Sequence, residues 1–278
     1  MVEVGLTEQT LEGFLLTRNW RDTGAAIELE FWFSTVRGPL CARIHGEHTV
    51  FFLPEADLPA AESIMIRHSG WRRGAVALRD FALQPVVGIY FDSHRRARRV
   101  ADELRQAGLD PLEADINPAE RYLMERFIRG AAVLRGEPRT ERGHLLMDNP
   151  AMKAGSYRPQ LRVVSFDIET AMQGLQLYSI GVHGTDGERE WRRVFMVGEG
   201  ASQDYVVSCR DQGEVLHGFQ RWLADFDPDV LIGWNVINFD TWYLQRLADQ
   251  LGARLALGRD GRPVHWRELD EDGERRTV

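Results

Sequence analysis

The sequence predicts an α+β protein in two parts, a small β-rich domain with helices over residues 1–150 and an α/β mixed-sheet domain over 151–278. Three observations carry this prediction. The N-terminal stretch is built of apolar, β-branched and aromatic runs separated by turn-prone tripeptides. Beyond residue 160, strand-like runs alternate with amphipathic helical ones. Between about residues 136 and 159 the periodicity lapses, and Gly136, Pro138, Gly143, Pro150, Gly155 and Pro159 accumulate, which marks a domain boundary.

The elements follow in order. Residues 13–20, 27–35 and 40–53 read as strands, parted by Asp22-Thr23-Gly24 and Arg37-Gly38-Pro39, and suggest a small antiparallel sheet or barrel. Residues 97–107 form a helix with Ala97, Val100, Ala101 and Leu104 on one face and Gly108 as its stop. A second helix, 119–129, starts after Asn117-Pro118 and presents Tyr122, Leu123, Phe127 and Ile128. In the second part, 161–169, 175–183 and 191–197 read as strands, the last two joined by the hairpin signal Thr185-Asp186-Gly187. Helix 214–225 follows, with Val215, Phe219, Trp222 and Phe226 at helical spacing. A buried-type strand, 229–234, leads into helix 241–251, closed by Gly252. Such a set implies a mixed sheet with helices on its faces.

Composition narrows the function classes. The 278 residues are 27% charged and 44% hydrophobic with a formal net charge of −8, the balance of an ordinary globular chain. No apolar run approaches the roughly 18 residues of a membrane span, and the N-terminus lacks a secretory signal, so the expected compartment is the cytoplasm with no membrane partner. Cys41 and Cys209 are too few for a disulfide framework or a zinc cluster, so metal chemistry must use oxygen or histidine. The acidic excess argues against non-specific nucleic-acid binding. Arginine supplies nearly all the positive charge, Lys153 being the only lysine. The run Arg95, Arg96, Arg98 and Arg99 reads as a solvated helix face, with phosphate contact the alternative. Asp225, Asp227 and Asp229 around Pro228 read as a turn entering a strand.

Two motifs carry chemistry. In Phe166-Asp167-Ile168-Glu169-Thr170, period-two alternation places Asp167 and Glu169 on one face of a strand and Phe166 and Ile168 on the other. Adjacent carboxylates repel unless a cation lies between them, and Mg²⁺ takes one or two carboxylates plus water and phosphate oxygens. An exposed surface pair is the alternative. The second motif, Gly233-Trp234-Asn235-Val236-Ile237-Asn238-Phe239-Asp240, ends an apolar strand and opens a helix, at the sheet edge where α/β folds place ligands. Helix capping by Asn238 or Asp240 is the alternative there.

Together, FDIET and NVINFD resemble the first and second exonuclease motifs of family B DNA polymerases. GFLLTRNWRDT, PVVGIYFDSHRR, ERYLMERFI and DPDVLIGWNVINFD extend the resemblance to the N-terminal third of bacterial members. The resemblance implies a ribonuclease-H-like 3′-5′ exonuclease domain with a two-metal site for Mg²⁺ or Mn²⁺. Asp167, Glu169 and Asp240 match its catalytic and metal-binding carboxylates. Asn235 and Phe239 match positions beside the primer terminus, and Thr170 closes the first motif as a further substrate contact. The implied partner is DNA, as a primer 3′ end and a single-stranded template; no oligomer is expected.

The family's third motif, Tyr-x-x-x-Asp, is not found after Asp240: Tyr243 is followed four residues on by Leu247. His265 and Asp270 have the His-x₄-Asp spacing that other members of this nuclease superfamily use. Nothing resembles the family's palm or fingers motifs, so dNTP binding is expected only in polymerase domains outside this sequence, and the exonuclease domain is expected to be incomplete. A stand-alone nuclease completed by His265 and Asp270, and a non-catalytic single-stranded nucleic-acid binding module, are the competing expectations.

Overall fold

The structure, a computed structural model, describes residues 8–199 and 203–264. It divides into two compact units, one running to Pro159 and the other from Gln160.

The first unit contains, in chain order, β1 (Gln9–Asp22), β2 (Ile27–Thr35), β3 (Gly38–Glu47), β4 (Thr49–Pro54), α1 (Leu58–Met65), β5 (Trp71–Arg79), β6 (Pro85–Phe91), α2 (His94–Gln106), α3 (Pro118–Glu125), β7 (Ala131–Gly136), β8 (Arg139–Glu141), β9 (His144–Asp148) and β10 (Ala151–Ala154). Two sheets result: seven strands in the order β10-β7-β1-β2-β3-β9-β8, and three in the order β4-β6-β5. The single strand expected over 40–53 is thus two, in different sheets. Every residue of β4 from Thr49 to Leu53 is buried, with Phe51 and Leu53 in one core and Val50 and Phe52 in another. An apolar run covered on both faces cannot show where the chain leaves one sheet for the next.

The helix expected over 119–129 stops at Glu125. Phe127 takes a left-handed conformation (φ 54°) and faces solvent, while the Ile128 amide donates to the Leu123 carbonyl and Ile128 is buried. Segment 136–159, expected to be irregular, supplies β8, β9 and β10. These strands are three to five residues long, too short for alternation to register. Because β10 pairs with β7, the first unit continues past residue 150 to Pro159. In α2, Ala97, Val100, Ala101 and Leu104 are buried, and Arg95, Arg98 and Arg99 are exposed, the solvated face read from the sequence.

The second unit contains β11 (Val163–Thr170), β12 (Leu177–Thr185), β13 (Glu190–Val197), β14 (Val206–Cys209), α4 (Gln212–Phe226), β15 (Val230–Ile232), a π-helical turn (Ile237–Thr241) and α5 (Trp242–Leu251). They form a five-stranded mixed sheet in the order β14-β13-β12-β11-β15, antiparallel across β11-β12-β13 and parallel at β13-β14 and β11-β15. The α+β class expected from the sequence is the one observed. Asp211 caps α4 by accepting from the Glu214 amide at 2.9 Å, and Gly252 (φ 63°) ends α5 in the left-handed conformation that glycine adopts freely. Val215, Phe219, Leu223 and Phe226 of α4 share one core with Phe166 and Ile168 of β11 and Leu244 and Leu247 of α5. Phe166 meets Phe219 at a ring separation of 5.2 Å.

The strand read over 229–234 is shorter than expected, covers only Val230–Ile232, and lies at the sheet's edge among the described residues, with Ile232 half exposed. β14, a four-residue strand, had no sequence signal. Among the described residues no helix is long and apolar enough to cross a membrane. Cys41 and Cys209 are both buried and are not joined in a disulfide.

Candidate active site

β11 sets the orientation of the site. Phe166 and Ile168 point into the core, which forces their neighbours Asp167 and Glu169 to the opposite, exposed face. Across the ladder Asp167 pairs with Gly181 and Glu169 with Ser179. A Cβ added at Gly181 would meet nothing within 4 Å, so the space beside Asp167 on this face is open. A register shift between Glu169 and Thr170 then bends the end of the strand.

The second motif is brought against β11 by the parallel strand β15, whose pairing ends at Ser165↔Ile232. Gly233 follows, and its backbone lies so close to Phe166 that an added Cβ would sit 2.6 Å from the Phe166 carbonyl oxygen. Asn235 adopts a left-handed conformation (φ 55°), one that asparagine tolerates better than most residues. The chain then winds into the wide turn closed by Phe239 N–H to Asn235 O (3.0 Å) and Thr241 N–H to Val236 O (2.8 Å). One-turn π segments of this kind recur at functional sites.

This turn carries Asp240 inward to 1% exposure. Beyond the end of β15 the amide of Ile168 has no strand to donate to, and Asp240 Oδ1 accepts it at 3.1 Å. Asp240 Oδ2 is also buried and receives no hydrogen bond; the group beside Asp240 is the carboxylate of Asp167. Burial, and after it the negative charge of Asp167, raises the Asp240 pKa above the ordinary carboxylate value. Capping does not account for the residue, since neither the π turn nor α5 carries a side-chain cap. A buried carboxylate with one oxygen lacking a donor and a second carboxylate beside it suits a hard cation with oxygen ligands.

Of the residues read from the sequence, Asp167 and Asp240 are brought together. Glu169 shares the exposed face of β11, but among the described residues no three His, Cys, Asp or Glu side chains are gathered as around one ion. Asn235 is exposed, and Phe239 is 43% exposed with its ring 6.1 Å from that of Tyr243. Thr170 is half-buried beside the buried hydroxyl of Tyr243, whose pKa burial raises. His265 and Asp270 lie outside the described residues.

Sequence reasoning missed four participants. Gly181 and Gly233 shape the site through the absence of a side chain, and Trp234 stands exposed between Gly233 and Asn235, none of which spacing reveals. The fourth, Arg259, donates from Nε to Asp227 Oδ1 (2.6 Å) and from a terminal nitrogen to Asp229 Oδ1 (2.9 Å), while Asp229 Oδ2 accepts the Arg162 amide (2.9 Å). The aspartate turn is therefore a structural clamp at the entry to β15.

The chain is similar to known proteins along most of its length. Residues 109–268 match the family described as DNA polymerase family B, exonuclease domain. Residues 13–47 match DNA polymerase II, N-terminal, and 49–109 match DNA polymerase II, insertion domain, the latter spanning the three-stranded sheet with α1 and α2. DNA polymerase II of Escherichia coli (strain K12) is 39% identical over 262 residues, 92% of this chain and 32% of that protein. A DNA polymerase of Archaeoglobus fulgidus is 24% identical over 274 residues, 93% of this chain and 33% of its own length. The solved family B DNA polymerase of Pyrobaculum calidifontis superposes with a TM-score of 0.71 at 24% identity, over 93% of this chain and 35% of that one. The chain thus spans about a third of the length of these relatives. With the exonuclease-domain match covering more than half of the sequence and including both carboxylate motifs, the chain belongs to DNA polymerase family B.

Proposed function

We propose that this chain is the N-terminal region of a polymerase II-like DNA-directed DNA polymerase, acting in replication and repair in the cytoplasm. On this reading, the first unit, to Pro159, forms a template-side domain and the second unit a partial 3′-5′ proofreading exonuclease domain. The observation that carries the proposal is the buried Asp240 carboxylate, held by the Ile168 amide through Oδ1, with Oδ2 buried and receiving no hydrogen bond and the Asp167 carboxylate beside it. Asp167 and Asp240 would hold Mg²⁺ or Mn²⁺, with Glu169 contributing from the same strand face. Bound there, divalent ions supply a water acidic enough to attack at neutral pH and stabilise the departing 3′ oxygen.

The chain's own residues do the positioning. The Ile168 amide fixes Asp240, the open space at Gly181 leaves Asp167 approachable, and Asn235, Phe239 and Thr170 contact the terminal nucleotides of a single-stranded primer end. Deoxynucleoside triphosphates would engage polymerase domains outside these residues. Isothermal titration of the chain with Mn²⁺ and with Mg²⁺ tests the proposal. Heat of binding is expected for the wild type and is lost in Asp167→Asn and Asp240→Asn; wild-type and variant chains that are equally silent refute it.

A further inference from the structure

The first two turns of α2 hold Arg95, Arg96, Arg98 and Arg99. This is the unfavourable end of a helix for cations. The positive pole of the dipole lies there, and α2 has no acidic residue in its first turn. Arg95, Arg98 and Arg99 also stand at i, i+3 and i+4, where like charges repel. The amides of that end are already satisfied, since Asp22 Oδ2 accepts from the Arg95 amide (3.0 Å) and the Ser93 hydroxyl accepts from the Arg96 amide (3.3 Å). Arg96 folds back beside Gly70 and is half-buried. The guanidinium groups of Arg95, Arg98 and Arg99 are exposed and make no hydrogen bond or ion pair among the described residues. Burial, and after it the charge of Arg98, lowers the pKa of His94 nearby. The other end of α2 is compensated: Arg105 pairs with Asp102, and Arg67 and His68 pair with Glu103.

The net charge of −8 averages over a segment of opposite sign. Residues 49–109 carry nine arginines and seven acidic side chains, whereas the remainder of the chain carries 25 basic and 35 acidic ones. A protein partner needs an apolar or aromatic anchor at the centre of its interface, and α2 exposes no large apolar side chain beside these arginines. A row of guanidinium forks without such an anchor suits phosphates. From Arg95 to Arg99 the row runs about 6 Å along the helix axis, which suits neighbouring phosphates of one strand and falls short of the roughly 12 Å major groove between the backbones of a duplex. We infer that Arg95, Arg98 and Arg99 grip the phosphate backbone of a single DNA strand, independently of its sequence and of metal. This rests on the template-side reading of the first unit and uses none of the carboxylates of the second.

The test uses the 278-residue chain and a fluorescein-labelled oligothymidylate, followed by fluorescence anisotropy from about 50 to 200 mM salt in chelator, so that no cation links DNA to Asp167 or Asp240. Replacing Arg95→Gln, Arg98→Gln and Arg99→Gln together is expected to weaken binding at least about tenfold at the lower salt, and to reduce the slope of log affinity against log salt by about 2. The melting temperature is expected to hold or rise, because cations leave the positive end of the helix. A control variant with Arg142→Gln, Lys153→Gln and Arg158→Gln removes the same charge from other exposed positions of the first unit and is expected to keep the wild-type slope. Equal losses in the two triple variants, or no loss in the first, overturn the inference and leave the template-side reading standing. Tighter binding of polyglutamate than of oligothymidylate overturns it in favour of an acidic protein, and a first variant that melts well below the wild type assigns the arginines to the fold instead. A wild-type chain that binds no oligothymidylate overturns both the inference and the template-side reading.

Discussion

Replacing Asp240 by Asn is expected to stabilise the second unit while disabling its site. Asp240 Oδ1 keeps its acceptor role toward the Ile168 amide at 3.1 Å, because asparagine retains that oxygen. The change falls on Oδ2, which is buried and receives no hydrogen bond; with the Asp167 carboxylate beside Asp240, an amide nitrogen supplies a donor where a second charge would repel. Relieving one buried unsatisfied polar atom is worth about 1–3 kcal/mol. In a unit of roughly 100 residues each kcal/mol moves the melting temperature by about 4–8 °C, so a rise of at least about 4 °C is expected in chelator near neutral pH.

The pH dependence fixes the sign independently. With its pKa raised in the folded chain, Asp240 holds a proton that the unfolded chain has already released. Its contribution to stability is therefore full below the ordinary carboxylate range and declines as pH rises through the raised value. Asp240→Asn removes that decline, so wild type and variant converge in mild acid and separate toward neutral pH. Added Mn²⁺ reverses the order, since only the wild type gains binding-linked stability, about 2.7 kcal/mol at a hundredfold excess over Kd. Scanning calorimetry across pH, with chelator and with Mn²⁺, reads all three effects. A variant that melts below the wild type in chelator near neutral pH, or with the same pH slope, refutes the reasoning.

Gly233→Ala places a methyl group 2.6 Å from a strand carbonyl and 3.0 Å from the Val236 Cβ, and is expected to destabilise the second unit by about 1–3 kcal/mol in urea titrations while weakening Mn²⁺ binding; unaltered midpoints contradict the close approach. Arg259→Ala leaves Asp229, whose side chain is only 8% exposed, without its cation, at an expected cost of about 1–3 kcal/mol by thermal melting. Arg259→Lys recovers little, because a single ammonium does not span both aspartates as the guanidinium fork does. In the first unit, burial pushes the Asp22 pKa up, but hydrogen bonds from the Arg95 amide, the Gly24 amide and the Ser93 hydroxyl outweigh it and leave it lowered. Stability from Asp22 is thus present above the ordinary carboxylate range and lost as pH falls through the lowered value. Asp22→Asn is expected to remove about 1 kcal/mol at neutral pH and to flatten the acid limb of the melting profile.

Particular elements show what made the fold legible. α2, α4 and α5 came through because each has one buried face, so its side-chain period appears in the sequence, whereas β2, buried on both faces from Phe31 to Thr35, came through because turn-prone residues bound it at both ends. The split between β3 and β4, the short strands β8, β9, β10 and β14, and the early end of α3 did not. The first hides in a run buried on both faces, the short strands give too few residues for a period, and the last turns on a left-handed residue that propensity does not foresee. At the site, Asp167, Glu169 and Asp240 were visible as residue types in motifs. The meeting of Asp167 with Asp240 was not, nor that among the described residues no third such side chain is gathered with them as around one ion. The acidic composition argues only against direct, non-specific binding of nucleic acid; on the proposed reading a carboxylate site would engage a polyanion through cations.

By itself the sequence determined the α+β class, the alternation that turns Asp167 to the open face of β11, and the motifs that carry the family resemblance, all of which depend on local period and residue chemistry. Only the tertiary structure decided that Asp240 is buried against Asp167 with one oxygen unsatisfied, that Gly233 lies on the Phe166 carbonyl, and that Trp234 stands in solvent. These depend on how β15 stops short beside β11 and how the π turn rotates the chain that follows. Burial, close approach and exposure are relations between segments some 70 residues apart, and no window along the chain contains both partners.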